Sequence, residues 1–436
     1  MPETHSPQLV ILGAGPAGCA LAGLVAQRGF DVVVCDDEKR PELLVGESLI
    51  PAVVPVFRQL GIEERVAEMS TLKPGASFFA TEGHRMHFHF KSVERQLPGY
   101  SYNTPRPELD NLLRTRAEEL GARFVKVRAG VEPCQRDGQP SLRLDARTRD
   151  RIGLPPASEN EPFLVDATGR ARLFSRALGL KAKCGDRNDI AYFAHFENFV
   201  HDEVDPGQVI ISVLNNGWSW RIPLPGRLSV GIVIDKDHAK TLGETPEERL
   251  EAAIRREPLL CEKGANAKRL TPVMTYTNYQ LLTERGHGPG WVLAGDAFGF
   301  VDPMLSPGLF MSLEAARSLD AEIFSKGPSV LRQPNAMESG LDRYEANFKR
   351  WHRSWTDLIE YFYDGRIFQL DSARQHAQKH FGERKVGGWL ERHSSFHISS
   401  MTCGGNTCSA YSRNLIRLMS RYLIWGVPPA SNFAVR

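Results

Sequence analysis

The spacing of apolar residues changes period several times along the chain, and each change marks an element. Residues 8–12 read as a strand, with an uninterrupted apolar run at Leu9-Val10-Ile11-Leu12. A glycine turn follows, then small and apolar residues at helical spacing over 16–28, then a second strand over 31–35, apolar from Val32 to Cys35. This order predicts a β-turn-α-β unit. Helical spacing returns at about 50–68 and at 107–120, where Leu109, Leu112, Leu113 and Leu120 form an apolar stripe. Residues 76–90 alternate with a period of two and read as strands, and 161–166 reads as a strand returning to the first sheet. The stretch 189–233 is strand-rich, with a hairpin turn at Pro225-Gly226-Arg227. A helix near 247–256, a short apolar strand at 291–294 and a helix at 307–325 follow. From about Met337 the chain reads as almost wholly helical.

These elements predict an α/β fold with a Rossmann-like nucleotide-binding domain, built as three layers around a parallel sheet. Into it is inserted a mixed-β substrate domain, and a helical C-terminal region follows. The expected boundaries are 1–75, 100–185 and 286–335 for the nucleotide domain, 76–99 and 186–285 for the inserted domain, and 336–436 for the helices. A chain of 436 residues is long enough for two to three such units.

Composition narrows the function. Lys plus Arg number 54 against 52 Asp plus Glu, a balance that argues against nucleic acid as the partner. The seven cysteines are scattered and odd in number, which fits free thiols in a reducing cytoplasm. Cys403 and Cys408 bracket a glycine-rich turn, without the spacing of a zinc site. No basic stretch precedes the first strand and no apolar run reaches about eighteen residues. A cytoplasmic protein without a signal peptide or transmembrane segment is expected. His87 and His89 share one face of a strand, but no nearby carboxylate or thiolate completes a ligand set, so no metal is expected.

Gly13-Ala14-Gly15-Pro16-Ala17-Gly18 satisfies Gly-x-Gly-x-x-Gly between a strand and a helix. There, small residues permit a tight turn and let a pyrophosphate approach the helix N-terminus. Gly13, Gly15, Ala17 and Gly18 are therefore cofactor candidates, with Asp36 placed to accept hydrogen bonds from an adenosine ribose. Further along lie Gly46-Glu47-Ser48-Leu49-Ile50-Pro51, Lys73, Arg106, Asp166-Ala167-Thr168-Gly169, Gly295-Asp296-Ala297 and Phe300-Val301-Asp302-Pro303-Met304-Leu305-Ser306-Pro307-Gly308. Trp218-Ser219-Trp220-Arg221-Ile222-Pro223 is the rarest of these runs. As a bare strand it places Trp218, Trp220 and Ile222 on one face and Ser219 and Arg221 on the other.

In their order and spacing, these motifs resemble the FAD-dependent halogenases of the non-tryptophan type. Those enzymes belong to the aromatic-hydroxylase and geranylgeranyl-reductase-like flavoproteins. The likeness spans residues 8–325. It implies FAD, used as FADH2, held by the glycine turn, Asp36, Glu47, Ser48, Arg106, Asp296 and Gly308. It implies that Trp218, Trp220, Ile222 and Pro223 keep organic substrate from the flavin, so that O2 and halide give hypohalous acid. Pro303, Ser306, Gly308 and Leu309 are then the halide residues, and Lys73 is the catalytic lysine that delivers electrophilic halogen. With no second dinucleotide fingerprint, a separate flavin reductase is implied. The substrate implied is a small electron-rich arene, phenol or pyrrole in type, free or on an acyl carrier protein.

Two departures from the family pattern stand out. Pro307 lacks the N–H that the family's Ser-Thr-Gly or Ser-Ser-Gly form supplies. Leu305 replaces the glutamate that tryptophan halogenases carry, which argues against free tryptophan. A monooxygenase or reductase on the same scaffold, and a catalytically silent flavin-binding subunit, remain as alternatives. In the C-terminal region, Arg413, Arg417 and Arg421 form a basic stripe on an amphipathic helix whose apolar side includes Leu423 and Ile424. Tyr361, Phe362, Tyr363, Phe368 and Trp389 either line a pocket or fill a core.

Overall fold

The computed structural model describes residues 8–38, 44–80, 83–155, 161–202, 205–277, 280–381, 385–405, 409–422 and 427–435. Cys408, Leu423 and Ile424 lie outside them.

Among the described residues the first sheet has six strands. In spatial order they are His287–Gly288, Trp291–Leu293, Phe163–Asp166, Leu9–Leu12, Val32–Asp36 and Arg123–Lys126. Only the His287–Gly288 edge runs antiparallel to its neighbour. Leu9 to Leu12 pair in register with Phe163 to Asp166 on one side and Val32 to Cys35 on the other. A parallel strand buried on both faces must be apolar throughout, which is why this segment reads as a continuous run. Helix Pro16–Gln27 packs against both Arg106–Glu119 and Pro307–Glu322 beside the sheet. The hairpin Val131–Arg136 with Gln139–Leu144 packs beside helix Leu173–Ala177. The apolar periodicity missed this hairpin, although its turn is Asp137-Gly138 with φ of 51° and 72°.

The expected helix over 50–68 is broken. Pro51–Val53 is a 3-10 turn, Val54–Leu60 is helical, and Gly61 at φ 70° caps it before a separate helix, Glu63–Glu68. A left-handed cap is easy for glycine and stops the helix there.

The second sheet is mixed. Val209–Leu214 runs parallel to Gly75–Phe79 and antiparallel to Gly217–Leu224, which pairs with Arg227–Asp235 and through it with Asp189–Glu197. The turn falls at Pro225-Gly226, with Leu224 opposite Arg227. The polar face of Gly217–Leu224 is not solvent-facing: Ser219 is 0% and Arg221 1% exposed. Among the residues packed over that side is the apolar face of helix Pro246–Arg256, opened by a Thr245–Glu248 capping box. Arg221 is held there by Asp202, which also takes Lys263 at 3.1 Å.

The C-terminal region is helical: Pro334–Tyr363, Arg366–Phe381, Lys385–Thr402 and Ala410–Tyr422. It is joined to the rest of the protein, since Phe362 and Phe368 both contact Phe78 of the mixed sheet. Among the described residues no helix is long and apolar enough to cross a membrane.

Asp202→Ala strands the Arg221 guanidinium in a buried site. Because removing one partner of a buried pair costs roughly 3 kcal/mol or more, urea denaturation should show a loss of that order. Arg221→Met, which removes the charge and keeps the volume, should cost clearly less.

Candidate active site

A cavity of about 280 Å³ lies between the two sheets. Its walls come from the glycine turn, the 44–48 segment, the tryptophan strand and the loop that opens helix Pro307–Glu322.

The glycine turn is built by close packing. A Cβ on Gly13 would stand 2.4 Å from the Ala167 carbonyl oxygen, and one on Gly18 would stand 2.0 Å from the Gly13 oxygen. Asp166 fixes the facing turn: one carboxylate oxygen accepts from Thr168 N–H and Oγ1–H, the other from Phe174 N–H at 2.8 Å. Asp166 thus braces the turn from a fully buried position. Gly15 differs, since a Cβ there meets no protein atom within 4 Å. Open space at the N-terminus of helix Pro16–Gln27 is what a pyrophosphate requires.

Pro16, Glu47, Ser48, Arg106, Asp296 and Gly308 line the cavity. Arg106 is aimed by its own helix: Asp110, four residues on, accepts at 3.1 and 3.3 Å, and the Val45 carbonyl takes a third bond. Asp36 stands at the end of its strand and accepts from Glu38 N–H at 3.0 Å and Arg114 at 2.9 Å. It does not line this cavity. Arg170, 5.4 Å from the Tyr276 ring centroid, and Tyr276 itself do, and motif reading had missed both.

Trp218, Trp220 and Ile222 line the cavity, 3%, 6% and 8% exposed, whereas Pro223 does not. The two indoles stand 5.7 Å apart, and Phe193 packs 5.7 Å from Trp220. Gly231, directly across the ladder from Trp220, makes room for it: a Cβ there would lie 2.2 Å from the indole.

Pro303, Ser306, Gly308 and Leu309 also line the cavity. Leu305 and Ser306 sit at φ 66° and 61°, a left-handed pair uncommon for such residues. Ser306 N–H is used by the Pro303 carbonyl at 3.0 Å, and Pro307 has none. Of the first-turn amides, helix geometry leaves those of Gly308 and Leu309 to an outside acceptor.

Lys73 is set apart from this cavity. It lies in a chamber of about 30 Å³ lined by Ile50, Phe78, Phe88, Phe90 and Thr402, among others. Ser48, Val209, Ile211, Leu305 and Ser306 line both spaces, so the chamber backs onto the cavity. Lys73 Nζ donates to Ser48 Oγ at 2.7 Å and to the Leu49 carbonyl at 2.8 Å, with Phe90 5.2 Å away. Burial pushes the ammonium down to about 7.

Glu47, on the cavity wall, bonds His195 Nε2 at 2.7 Å, and Arg227 Nε donates to His195 Nδ1 at 3.1 Å. Arg227 thereby fixes Nε2 as the protonated nitrogen that donates to Glu47. No local motif marks His195 or Arg227, which reach Glu47 through sheet pairing. Among the described residues, no group of three or more His, Cys, Asp or Glu is placed to hold a metal.

The family model described as FAD binding domain matches residues 7–357. The chain belongs to this family. It is a flavin-binding protein, and the relatives it resembles are flavin-dependent halogenases. It is 28% identical over 385 residues to the 1H-pyrrole-2-carbonyl-[peptidyl-carrier protein] chlorinase of Pseudomonas fluorescens, covering 82% of this chain and 84% of that protein. With the tryptophan 2-halogenase of Chondromyces crocatus it shares 27% over 353 residues, covering 79% of this chain and 66% of that one. The solved structure of flavin-dependent brominase Bmp2 superposes with a TM-score of 0.69 at 21% identity, over 95% of this flavoprotein and 99% of Bmp2. The open cradle at Gly15, with Arg106, Asp296 and Arg170 around the cavity, fits FAD.

Gly15→Ala should weaken FAD binding, read by quenching of flavin fluorescence, and leave the melting temperature of the apoprotein unchanged. Gly13→Ala should lower both. Lys73→Met should raise the urea midpoint at pH 7. The wild-type burial cost is full below pH 7 and falls as pH rises toward the unfolded value, because the unfolded lysine then binds more protons than the native one. The gain should therefore shrink between pH 7 and pH 9.

Proposed function

We propose that this flavoprotein halogenates an electron-rich arene or heteroarene, phenol or pyrrole in type, free or carrier-tethered, through hypohalous acid and Lys73. The observation that carries the reading is the buried lysine in its own chamber, sharing a wall with the cavity that fits FAD. Bound FAD, reduced and supplied with O2 and chloride or bromide, supplies hypohalous acid.

The Gly308 and Leu309 amides, with the Ser306 hydroxyl and the Pro303 turn, hold the halide at the start of a helix. Trp218, Trp220 and Ile222 fill the wall between flavin and arene, which favours halide over ring carbon as the group oxidised. Ser48 and the Leu49 carbonyl hold two of the lysine's three donors, which leaves the third for the hypohalous oxygen. Lys73 hydrogen-bonds that oxygen as the ring takes the halogen. Hydroxide leaves and the ring proton is lost, so arene and hypohalous acid give haloarene and water. A lysine near 7 is available as ammonium for this step and as free amine for a haloamine route.

A space of about 30 Å³ accepts a small triatomic molecule but not an aromatic ring, since benzene occupies cavities of about 150 Å³. An arene must displace the wall, and Thr402, at the end of helix Lys385–Thr402, is part of it. Leu305 is apolar where tryptophan halogenases carry a carboxylate, which favours substrates other than free tryptophan. The peptidyl-carrier chlorinase among the relatives supports a tethered pyrrole. The lone dinucleotide fingerprint supports a separate flavin reductase.

The test supplies enzymatically generated FADH2, oxygen and bromide with a panel of phenols, pyrroles and indoles, free and carrier-bound. Bromine's isotope doublet in the product mass spectrum is expected, and Lys73→Ala should abolish it while peroxide production persists. Oxygenated products would identify a monooxygenase instead. Peroxide alone with every substrate would favour a silent flavin-binding subunit.

A further inference from the structure

Trp218 and the 302–309 loop come from different elements, yet one side chain joins them. The Trp218 indole N–H donates to the Tyr363 hydroxyl at 3.0 Å. That hydroxyl lies 3.1 Å from both carboxylate oxygens of Asp302. A phenol has one proton, so it donates to the carboxylate and accepts from the indole. Asp302 Oδ1 also accepts the Met304 N–H at 2.9 Å, which sets the first turn of the loop that leads to Ser306 and Gly308. Gln280 donates to Oδ2 at 3.4 Å.

Tyr363 is itself fixed from three sides. It ends helix Pro334–Tyr363, its carbonyl accepts the Val435 N–H at 2.8 Å, and the Arg187 guanidinium lies 3.5 Å from its ring centroid. Trp218, Tyr363 and Asp302 are 3%, 7% and 0% exposed. In such a site each lost hydrogen bond leaves a polar group without water to replace it. Tyr363 also lies past residue 357, where the match to the family model ends.

We propose that Tyr363 is a positioning residue that locks the tryptophan strand to the halide loop, so that flavin shield and anion site hold one relative geometry. The halide half of this statement rests on the halogenation reading above. Phenylalanine at 363 keeps the ring and its arginine contact, and removes only the link between indole and carboxylate.

The experiment uses the FAD-loaded protein labelled with 15N at tryptophan and methionine. In Tyr363→Phe the Trp218 indole N–H and the Met304 amide resonances should both move, with FAD affinity within twofold of wild type. Bromide affinity, read from its effect on the bound flavin spectrum, should fall about tenfold, a typical effect of one lost buried hydrogen bond. More of the FADH2 should then appear as hydrogen peroxide, with KM for bromide raised and kcat within about twofold. Tyr361→Phe, at a ring that stacks under Arg366 instead, should change none of these. A folded Tyr363→Phe in which both resonances stay in place overturns the proposal. If Tyr363→Phe does not fold, the wild type decides: bromide should shift the Trp218 indole resonance, and a static resonance at saturating bromide overturns the link. A wild type that binds no bromide defeats the halogenation reading alone, since the two resonances in Tyr363→Phe still report the coupling.

Discussion

The arrangement depends on a cation kept out of water. Lys73 is 3% exposed, and burying an ammonium is unfavourable unless acceptors and sealing walls compensate. Two acceptors are supplied, both from the Ser48–Leu49 segment, and that segment is pinned by backbone bonds from Leu49 to Tyr102 and from Thr104 to Glu47. The segment therefore faces two ways. Glu47 and Ser48 form part of the wall of the cavity that fits FAD, while the Ser48 hydroxyl and Leu49 carbonyl hold the lysine. A short stretch of backbone ties the position of the lysine to that of the cofactor.

The seal extends this logic to the C-terminal region. Thr402 lines the lysine chamber and the Cys403 carbonyl takes the Ala52 N–H at 3.2 Å. Gly404, at φ 86°, turns the chain where a Cβ would lie 2.6 Å from Ala52. Helices without any family motif thus close the chamber at one end and brace the tryptophan strand through Tyr363 at the other. Leu418 is 55% exposed and meets little of the protein, whereas inward residues such as Met401 and Ile416 are buried at 2% and 1%.

How far the sequence could be read follows from which interactions are local. The β-turn-α-β opening, the glycine turn and the hairpin turn at Pro225-Gly226, with Gly226 at φ 71°, all depend on near neighbours, and their residues announce them. Arg106 with Asp110 is local as well, four residues apart on one helix, and was overlooked only because the arginine alone matched a motif. The Glu47–His195–Arg227 chain joins residues 148 positions apart, and the Trp218–Tyr363 bond spans 145, so neither leaves a periodic trace. The same limit applies to Gly231. Its lack of a side chain is explained by Trp220 across the ladder, and only strand pairing reveals the partner. The broken helix at Gly61 shows the converse: the periodicity was helical on both sides, and a single residue able to take positive φ ended it.

Pro307 is the residue that set this sequence apart from the familiar halide pattern, and the structure changes its meaning. It stands at the first position of helix Pro307–Glu322, where a ring with φ near −65° is pre-organised and the missing N–H would have had no helical partner. The adjacent Ser306 N–H is already used by Pro303. What a proline removes from the proposed halide site is therefore one outward donor: the Gly308 and Leu309 amides and the helix dipole remain. A site with fewer donors must rely on their fixed direction. Leu305 and Ser306 are held in left-handed geometry ahead of the proline, and Asp302 anchors the loop behind them. The rigidity of the loop, and with it the hold of Tyr363 on Asp302, then counts for more than in a loop with a full set of amides.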